Sequence, residues 1–224
     1  MKFARIGLIS GVQAEIDAFA PELARETEQV GALAVQRIAF EGREVAMVCA
    51  GIGKVAAATA ASLLRLRYDA DLLMVIGTAG WIGEGHGGLF LVEDAVQGDF
   101  GAQRESGLEH YTAGSWPIGP AQVRPFTPLE AASALPRTRI ATSDLFIEWG
   151  DHGERLRAKL AADMVDMETG AVAQAAELLG APWAAIKAAT DGANEDSASS
   201  FQENLARAAR AAAEAAEAFI RALP

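Results

Sequence analysis

Short apolar runs alternate along this chain with longer segments in which apolar residues recur at helical spacing. The apolar runs predict strands at residues 4–9, 45–49, 72–76, 89–92, 139–142, 164–166 and 183–188. The longer segments predict helices at residues 13–23, 54–67, 153–161, 169–179 and 201–223. Several of the strands are apolar at successive positions, as strands covered on both faces are. The alternation therefore predicts an α/β fold, with a mixed or parallel sheet between layers of helices.

The length of the chain suits one such domain. A single α/β domain often reaches 224 residues, so we predict one domain over residues 1–224. The stretch from 98 to 136 is rich in Gly, Pro, Ser and Gln and has little periodicity. A loop of this length in a compact domain is usually functional or poorly ordered. Its aromatic residues predict that it docks on another surface: Phe100, Tyr111, Trp116 and Phe126.

The charge and the cysteine content argue against several classes of function. The net charge of −11 and the pI near 4.8 disfavour nucleic acid and anionic membranes as partners. The single cysteine, Cys49, leaves no intrachain disulfide and no cysteine-based metal site. No apolar run approaches the roughly 20 residues that span a bilayer, and Gln13 and Glu15 interrupt the short apolar start. We therefore expect a cytoplasmic protein.

Three acids lie where strands end. Glu168 closes the run at 164–168, Asp191 follows the run at 183–190, and Glu15 comes shortly after the first strand. In α/β proteins ligands bind at the carboxyl ends of the strands, so a carboxylate placed there faces a ligand. For each acid alone, a cap that complements the dipole of the next helix is the alternative explanation. Their joint occurrence, with Met167 before one and Thr190 before another, favours a binding site.

Two glycine-rich turns also follow strands. Residues 51–54 (Gly-Ile-Gly-Lys) lead into a helix and let backbone N–H groups approach a ligand, and residues 77–80 (Gly-Thr-Ala-Gly) form a second tight turn. The first has neither the Rossmann pattern nor the P-loop spacing, and an ordinary turn is the alternative explanation of the second. The chain has no G-x-S-x-G nucleophile motif, and its histidines are too far apart to indicate a metal cluster: His86, His110 and His152. We therefore expect no metal and no cofactor.

These motifs, in this order, resemble those of the purine nucleoside phosphorylase/nucleosidase superfamily. The matching segments are Glu15, 51–56, 77–80, 146–147, 165–168 and 190–191. Residues 191–205 are similar, without a gap, to the branch of 5′-methylthioadenosine/S-adenosylhomocysteine nucleosidases. The resemblance covers nearly the whole chain and is weakest at 98–136. It implies a single-domain three-layer sandwich with a mixed central sheet, and a hydrolase that cleaves the N-glycosidic bond of adenine nucleosides.

The resemblance also implies a task for each acid. Asp191 would protonate or hydrogen-bond N7 of the leaving purine and contact its 6-amino group. Glu168 would bind the ribose hydroxyls, and Glu15 would deprotonate the attacking water. The reaction passes through an oxocarbenium-like sugar, and that transition state needs all three tasks. A donor at N7 must be protonated, and burial shifts a carboxyl group in that direction.

Other residues would contact the nucleoside. By the same resemblance, Phe146 would stack on the adenine, the Ile147 backbone would read its edge, and Thr78 would lie near Asp191. An apolar pocket for the 5′-alkylthio group would be formed by Val12, Ile52, Met167 and Phe201. Family members close this pocket with aromatic residues of a partner subunit, which implies a homodimer; the candidates here are Phe100, Tyr111 and Trp116.

Three features depart from the nucleosidase pattern. Lys187 stands where an arginine usually helps to hold the water, and a lysine lacks the bidentate guanidinium fork. Trp81 replaces an expected glycine, so it is expected to narrow the site. The middle loop reads more like the futalosine hydrolases, which often have asparagine at the position of Asp191, as suits a 6-oxopurine. Asp191 therefore favours adenine as the base.

Three other functions stay open. A futalosine hydrolase would prefer inosine-type substrates. A phosphorylase would require phosphate, which a carboxylate at Glu15 would repel. A nucleoside-binding protein that has lost catalysis would bind tightly without turnover, and the retention of all three acids argues against it.

Overall fold

The computed structural model describes residues 3–224, which contain one nine-stranded sheet and a separate two-stranded hairpin. The strands are β1 (Arg5–Ser10), β2 (Glu26–Val30), β3 (Leu33–Phe40), β4 (Arg43–Cys49), β5 (Leu72–Trp81), β6 (Leu89–Gln97), β7 (Gly101–Arg104), β8 (Gly107–His110), β9 (Arg137–Thr142), β10 (Met164–Asp166) and β11 (Trp183–Asp191). Their order across the main sheet is β10-β9-β6-β11-β5-β1-β4-β3-β2, and β7 pairs with β8.

The strand directions bring one set of carboxyl ends together. Strands β4, β1, β5 and β11 are parallel, so their carboxyl ends meet at one edge of the sheet. Strand β6 is antiparallel to β11, and β3 is antiparallel to both β2 and β4. Strand β10 pairs with β9 and also with the end of β5, where Met164 is opposite Trp81 and Val165 is opposite Gly80. The mixed sheet is therefore confirmed, and its curl carries β10 to the edge where the parallel strands end.

Helices cover both faces of the sheet. They are α1 (Gln13–Asp17), α2 (Lys54–Arg67), α3 (Gly150–Leu160), α4 (Thr169–Leu178) and α5 (Ser197–Ala222). Leu73 and Val75 of β5 join one apolar cluster with α2 and α4, whereas Met74 and Ile76 join another with α1 and α5. Side chains alternate between the faces of a strand, so a strand buried on both faces needs the continuous apolar run seen in the sequence. The three-layer arrangement is confirmed. Among residues 3–224, no helix has both the length and the apolar character needed to cross a membrane.

Some predicted boundaries are wrong. The first helix ends at Asp17 rather than at residue 23, because Ala20 takes a positive φ of 41° and Pro21 follows it. Where the helix ends, the Arg25 guanidinium donates to the carbonyls of Ile16, Asp17 and Phe19, at 3.2, 3.3 and 2.9 Å. The edge strand β2 and its neighbour β3 were not predicted, and the stretch predicted as a loop contains the hairpin β7–β8.

Candidate active site

A cavity of about 280 Å³ lies at the carboxyl edge of the sheet. Its walls come from the turns after β1 and β4, the ends of β5 and β11, the segment around β10, and the start of α5. Every site residue predicted from the sequence except Lys187 lines it: Val12, Glu15, Ile52, Thr78, Phe146, Ile147, Met167, Glu168, Asp191 and Phe201. The fold thus brings together residues that are far apart in the chain.

Glu15 lies in the first turn of α1 and is only 3% exposed. Its Oε1 accepts hydrogen bonds from the N–H and the hydroxyl of Thr78, at 2.8 Å each, and its Oε2 accepts one from the Val12 N–H at 3.2 Å. Burial raises the pKa of Glu15, while the Lys187 charge and these hydrogen bonds oppose the shift. Gly77 permits this packing, because a Cβ there would lie 2.4 Å from the Glu15 carboxyl carbon.

Glu168 occupies the position just before α4 and is also buried. Its Oε1 accepts a hydrogen bond from the Gly53 N–H at 3.3 Å, and its Oε2 lies 3.8 Å from the Lys187 ammonium nitrogen. Burial raises the pKa of Glu168 to about 7; the Lys187 charge opposes this shift, and the charges of Asp166 and Glu15 add to it. This acid therefore changes its charge near neutral pH.

Asp191 is aimed by an irregularity in the sheet. The register between β5 and β11 shifts between Ala189 and Asp191, which places Asp191 opposite Gly80. Such a bulge re-aims a side chain at the end of a strand. The Thr190 hydroxyl donates to Asp191 Oδ2 at 2.8 Å, and the Ala193 N–H donates to Oδ1 at 3.0 Å. The carboxyl group is held at the cavity wall by its own neighbours in the chain.

Aromatic side chains form the outer wall of the cavity. Phe146 is 46% exposed, and its ring meets that of Phe201 edge-on at a centroid distance of 6.3 Å. The lining residues that were not predicted include these three: Leu145, Ala198 and Gln202. Positions 198, 201 and 202 share one face of a helix. A prediction that began this helix at residue 197 rather than 201 would have placed Ala198 on the same face as Phe201 and Gln202.

Lys187 does not line the cavity, which corrects its prediction as a substrate contact. Its side chain is buried on β11, where Nζ lies 3.0 Å from Asp166 Oδ2 and donates to the Thr78 carbonyl at 3.3 Å. Burial lowers the pKa of Lys187, but the negative charges of Asp166, Glu168 and Glu15 outweigh burial and raise it. The lysine is thus a buried cation behind the acids rather than a wall of the site.

Asp166 is the functional candidate that the sequence reasoning passed over. It lines the cavity and binds Lys187, yet it was read only as part of the motif 165–168. A polar residue at the end of a short buried strand was the available signal. Among residues 3–224, no group of three or more His, Cys, Asp or Glu side chains could hold a metal ion. The site therefore presents carboxyl groups on one side and apolar walls on the other.

The sequence profile of the Phosphorylase superfamily matches residues 5–221. The chain belongs to this superfamily. A 5′-methylthioadenosine/S-adenosylhomocysteine nucleosidase of Actinobacillus succinogenes is 26% identical to it over 223 residues, which cover 94% of this chain and 95% of the relative. The nucleosidase of the same name from Tolumonas auensis is 29% identical, with 92% and 94% covered. The family resemblance read from the sequence is confirmed.

Solved structures share the fold of this chain. A 5′-methylthioadenosine/S-adenosylhomocysteine nucleosidase from S. pneumoniae with a transition-state inhibitor aligns with a TM-score of 0.84 and 25% identity, covering 97% of this chain and 99% of that one. The futalosine hydrolase of Helicobacter pylori also aligns with a TM-score of 0.84, at 20% identity and with 97% of each chain covered. The fold alone therefore does not separate the two activities.

One expectation about this superfamily site is corrected by the structure. Trp81 was expected to narrow the site, but its ring stacks on Phe90 at a centroid distance of 4.8 Å and is not part of the cavity wall. The alternation of side chains along β5 explains this result, since Thr78, which lines the cavity together with Asp191, and Trp81 are an odd number of residues apart and point to different faces.

Proposed function

We propose that this protein hydrolyses the N-glycosidic bond of adenine nucleosides that carry a 5′-alkylthio group, namely 5′-methylthioadenosine and S-adenosylhomocysteine. The observation that carries the proposal is the convergence of Glu15, Glu168 and Asp191 on one small cavity with apolar walls. The curated relatives with that name, 26% and 29% identical over nearly their whole length, support the same substrates.

Asp191 is the proposed donor to the leaving base. Breaking the bond between the sugar and the purine leaves negative charge on the base, and a proton delivered to N7 neutralises it. The two donors that fix Asp191 leave its carboxyl group facing the cavity. General-acid assistance of this kind contributes about 10² to 10⁴ in rate.

Glu168 is the proposed ligand of the ribose hydroxyls. As the sugar becomes oxocarbenium-like, its hydroxyls become better donors, so a carboxylate that accepts from them binds the transition state more tightly than the substrate. Only the ionised form of Glu168 accepts from both hydroxyls. Because its pKa is raised to about 7, this form becomes the main one only above neutral pH.

Glu15 is the proposed general base for the attacking water. Burial raises its pKa, and a carboxylate with a raised pKa is a stronger base. The N–H and hydroxyl of Thr78 hold its carboxylate in place. The same position disfavours phosphorolysis, because this carboxylate would repel a phosphate ion and no Lys or Arg side chain of the described residues lines the cavity.

The experiment is an assay of purified protein with and without phosphate. We expect adenine release from 5′-methylthioadenosine and S-adenosylhomocysteine in phosphate-free buffer, with no acceleration when phosphate is added. A requirement for phosphate would overturn hydrolysis in favour of a phosphorylase. Faster turnover of futalosine than of the adenine nucleosides would favour the futalosine hydrolase function, and tight binding without turnover would identify a binding protein.

We also propose that the protein is a homodimer in which Trp116 reaches the partner's site. Of the three candidate aromatic residues, Tyr111 is buried and its hydroxyl donates to the Gly119 carbonyl at 2.8 Å, and Phe100 is half-buried. Trp116 is 82% exposed. The base of its loop is fixed, since the Thr112 N–H donates to the Gln122 carbonyl at 2.8 Å. A loop that is fixed at its base and exposes an indole ring is suited to a contact with a second copy of this chain. The cytoplasmic location stays a prediction.

A further inference from the structure

Asp166 has no task in the proposed reaction, although it is among the most strongly bound side chains of the site. Its Oδ1 accepts a hydrogen bond from the Thr142 hydroxyl at 2.5 Å. Its Oδ2 accepts from the Thr169 hydroxyl at 2.5 Å and the Thr169 N–H at 3.0 Å, and lies 3.0 Å from Lys187 Nζ. The side chain is only 1% exposed. A buried polar group with four partners is held in one position.

The direction of these hydrogen bonds fixes the chemical form of Asp166. The Gly170 N–H donates to the Thr142 oxygen at 2.7 Å, so the hydrogen of that hydroxyl is free to point at Asp166. Strand pairing places Asp166 directly opposite Thr142, which makes the contact part of the sheet. Both carboxyl oxygens face donors only, and the carboxylate is the form that accepts from all of them.

Lys187 is the cation that this carboxylate holds. The charged groups that face the ammonium group are Asp166 on β10, Glu168 before α4 and Glu15 on α1. Asp166 is the nearest of them, at 3.0 Å against 3.8 Å for Glu168. A buried lysine needs a fixed counter-charge to stay protonated. Asp166 supplies it without being one of the groups that the reaction changes.

We propose that Asp166 is a positioning residue, which holds the Lys187 ammonium behind Glu15 and Glu168 and so sets the charge of both acids. The inference rests on the proposed function, because it assigns those acids their tasks. A neutral residue at 166 would release Lys187 toward Glu168 and remove a negative charge from beside that acid. Both changes favour the ionised form of Glu168 at lower pH.

The experiment is a double-mutant cycle with Asp166→Asn and Lys187→Met, read as kcat/KM against pH with 5′-methylthioadenosine. We expect Asp166→Asn to lose about tenfold to a hundredfold in kcat/KM and to move the acid limb of the profile to lower pH. Because Asp166 acts through Lys187, the double variant loses no more than Lys187→Met alone. If Asp166→Asn does not fold, Thr169→Val removes one of its hydrogen bonds and takes its place in the cycle.

The matched control is Asp94→Asn, which breaks another ion pair of the same sheet, the half-buried pair with Arg139 outside the cavity. We expect its pH profile to match that of the parent protein. Losses that multiply in the Asp166 and Lys187 double variant, with an unmoved acid limb, would overturn the proposal and indicate direct contact between Asp166 and the substrate. A ¹³C NMR titration of the Glu168 carboxyl carbon reports the same shift without turnover, so it tests Asp166 even if the parent protein releases no adenine.

Discussion

Asp191 is the residue whose replacement separates binding from chemistry. In Asp191→Asn the amide still occupies the wall of the cavity, but it has no acidic proton to deliver to N7. We expect kcat for adenine release to fall about 10²-fold or more, with a much smaller change in KM. Steady-state kinetics with 5′-methylthioadenosine measure both constants. Asp69→Asn is the control, since Asp69 is exposed and its positive φ of 49° suits asparagine; equal activity of the Asp191 variant would refute the assigned role.

Glu168 links activity and stability to pH in opposite directions. Its pKa is raised from 4.5 to about 7 in the folded protein, so folding favours its protonated form. The stability that this protonated group contributes is complete below the unfolded pKa and is lost as the pH rises through about 7. Activity should rise over the same range, because the ribose hydroxyls need the ionised form.

Glu168→Gln tests this link, since the amide cannot ionise. We expect the Tm of the variant, relative to the Tm of the parent protein, to increase as the pH rises from about 5 to about 8. The turnover of the variant should stay low over the whole range. Thermal unfolding of both proteins at a series of pH values measures the difference. A difference in Tm that is constant with pH would show that Glu168 is not the titrating group.

The sequence reveals the three acids of the site, but it does not reveal the contact between Asp166 and Lys187. Glu15, Glu168 and Asp191 each mark the end of a strand, and a local pattern shows that. The contact of Asp166 with Lys187 depends on β10 and β11 both pairing with β5, which no local pattern shows. Lys187 was expected to contact the substrate because it stands where the nucleosidases usually have an arginine, although a lysine is almost never fully buried unless it is paired.

At the scale of the elements, Gly77 couples strand β5 to helix α1. A Cβ at this position would lie 2.4 Å from the Glu15 carboxyl carbon, and φ is +141°. We expect Gly77→Ala to lose stability and also about tenfold or more in kcat/KM, because Glu15 must move. Gly180→Ala is the matched control: φ is +60° and nothing lies within 4 Å, so it should lose about 1 kcal/mol in unfolding free energy at unchanged kcat/KM. Equal kcat/KM for the two variants would contradict a steric role for Gly77.

Strands could be predicted from the sequence where burial alone determines the secondary structure. Strands β5 and β11 are buried on both faces, so their apolar runs were recognised, although each extends beyond the run into residues of the site. Strand β2 reads Glu-Thr-Glu-Gln-Val and is largely exposed, so only its pairing with β3 makes it a strand. Strand preference depends on such neighbours more than on the residues themselves.

The whole molecule is proposed to work as a pair, with the loop around Trp116 of each copy closing the partner's cavity. We expect sedimentation velocity to give a dimer, and Trp116→Ala to raise KM for 5′-methylthioadenosine more than for adenosine, which lacks the alkylthio group. Removal of one stacked aromatic contact is worth about 0.5–1.5 kcal/mol beyond its area, or a several-fold change in KM. Trp116→Phe keeps an aromatic ring and should stay close to the parent protein. A fully active monomer, or an equal change in KM for both substrates, would place Trp116 outside the 5′ pocket, and the exposed ring would then need another partner.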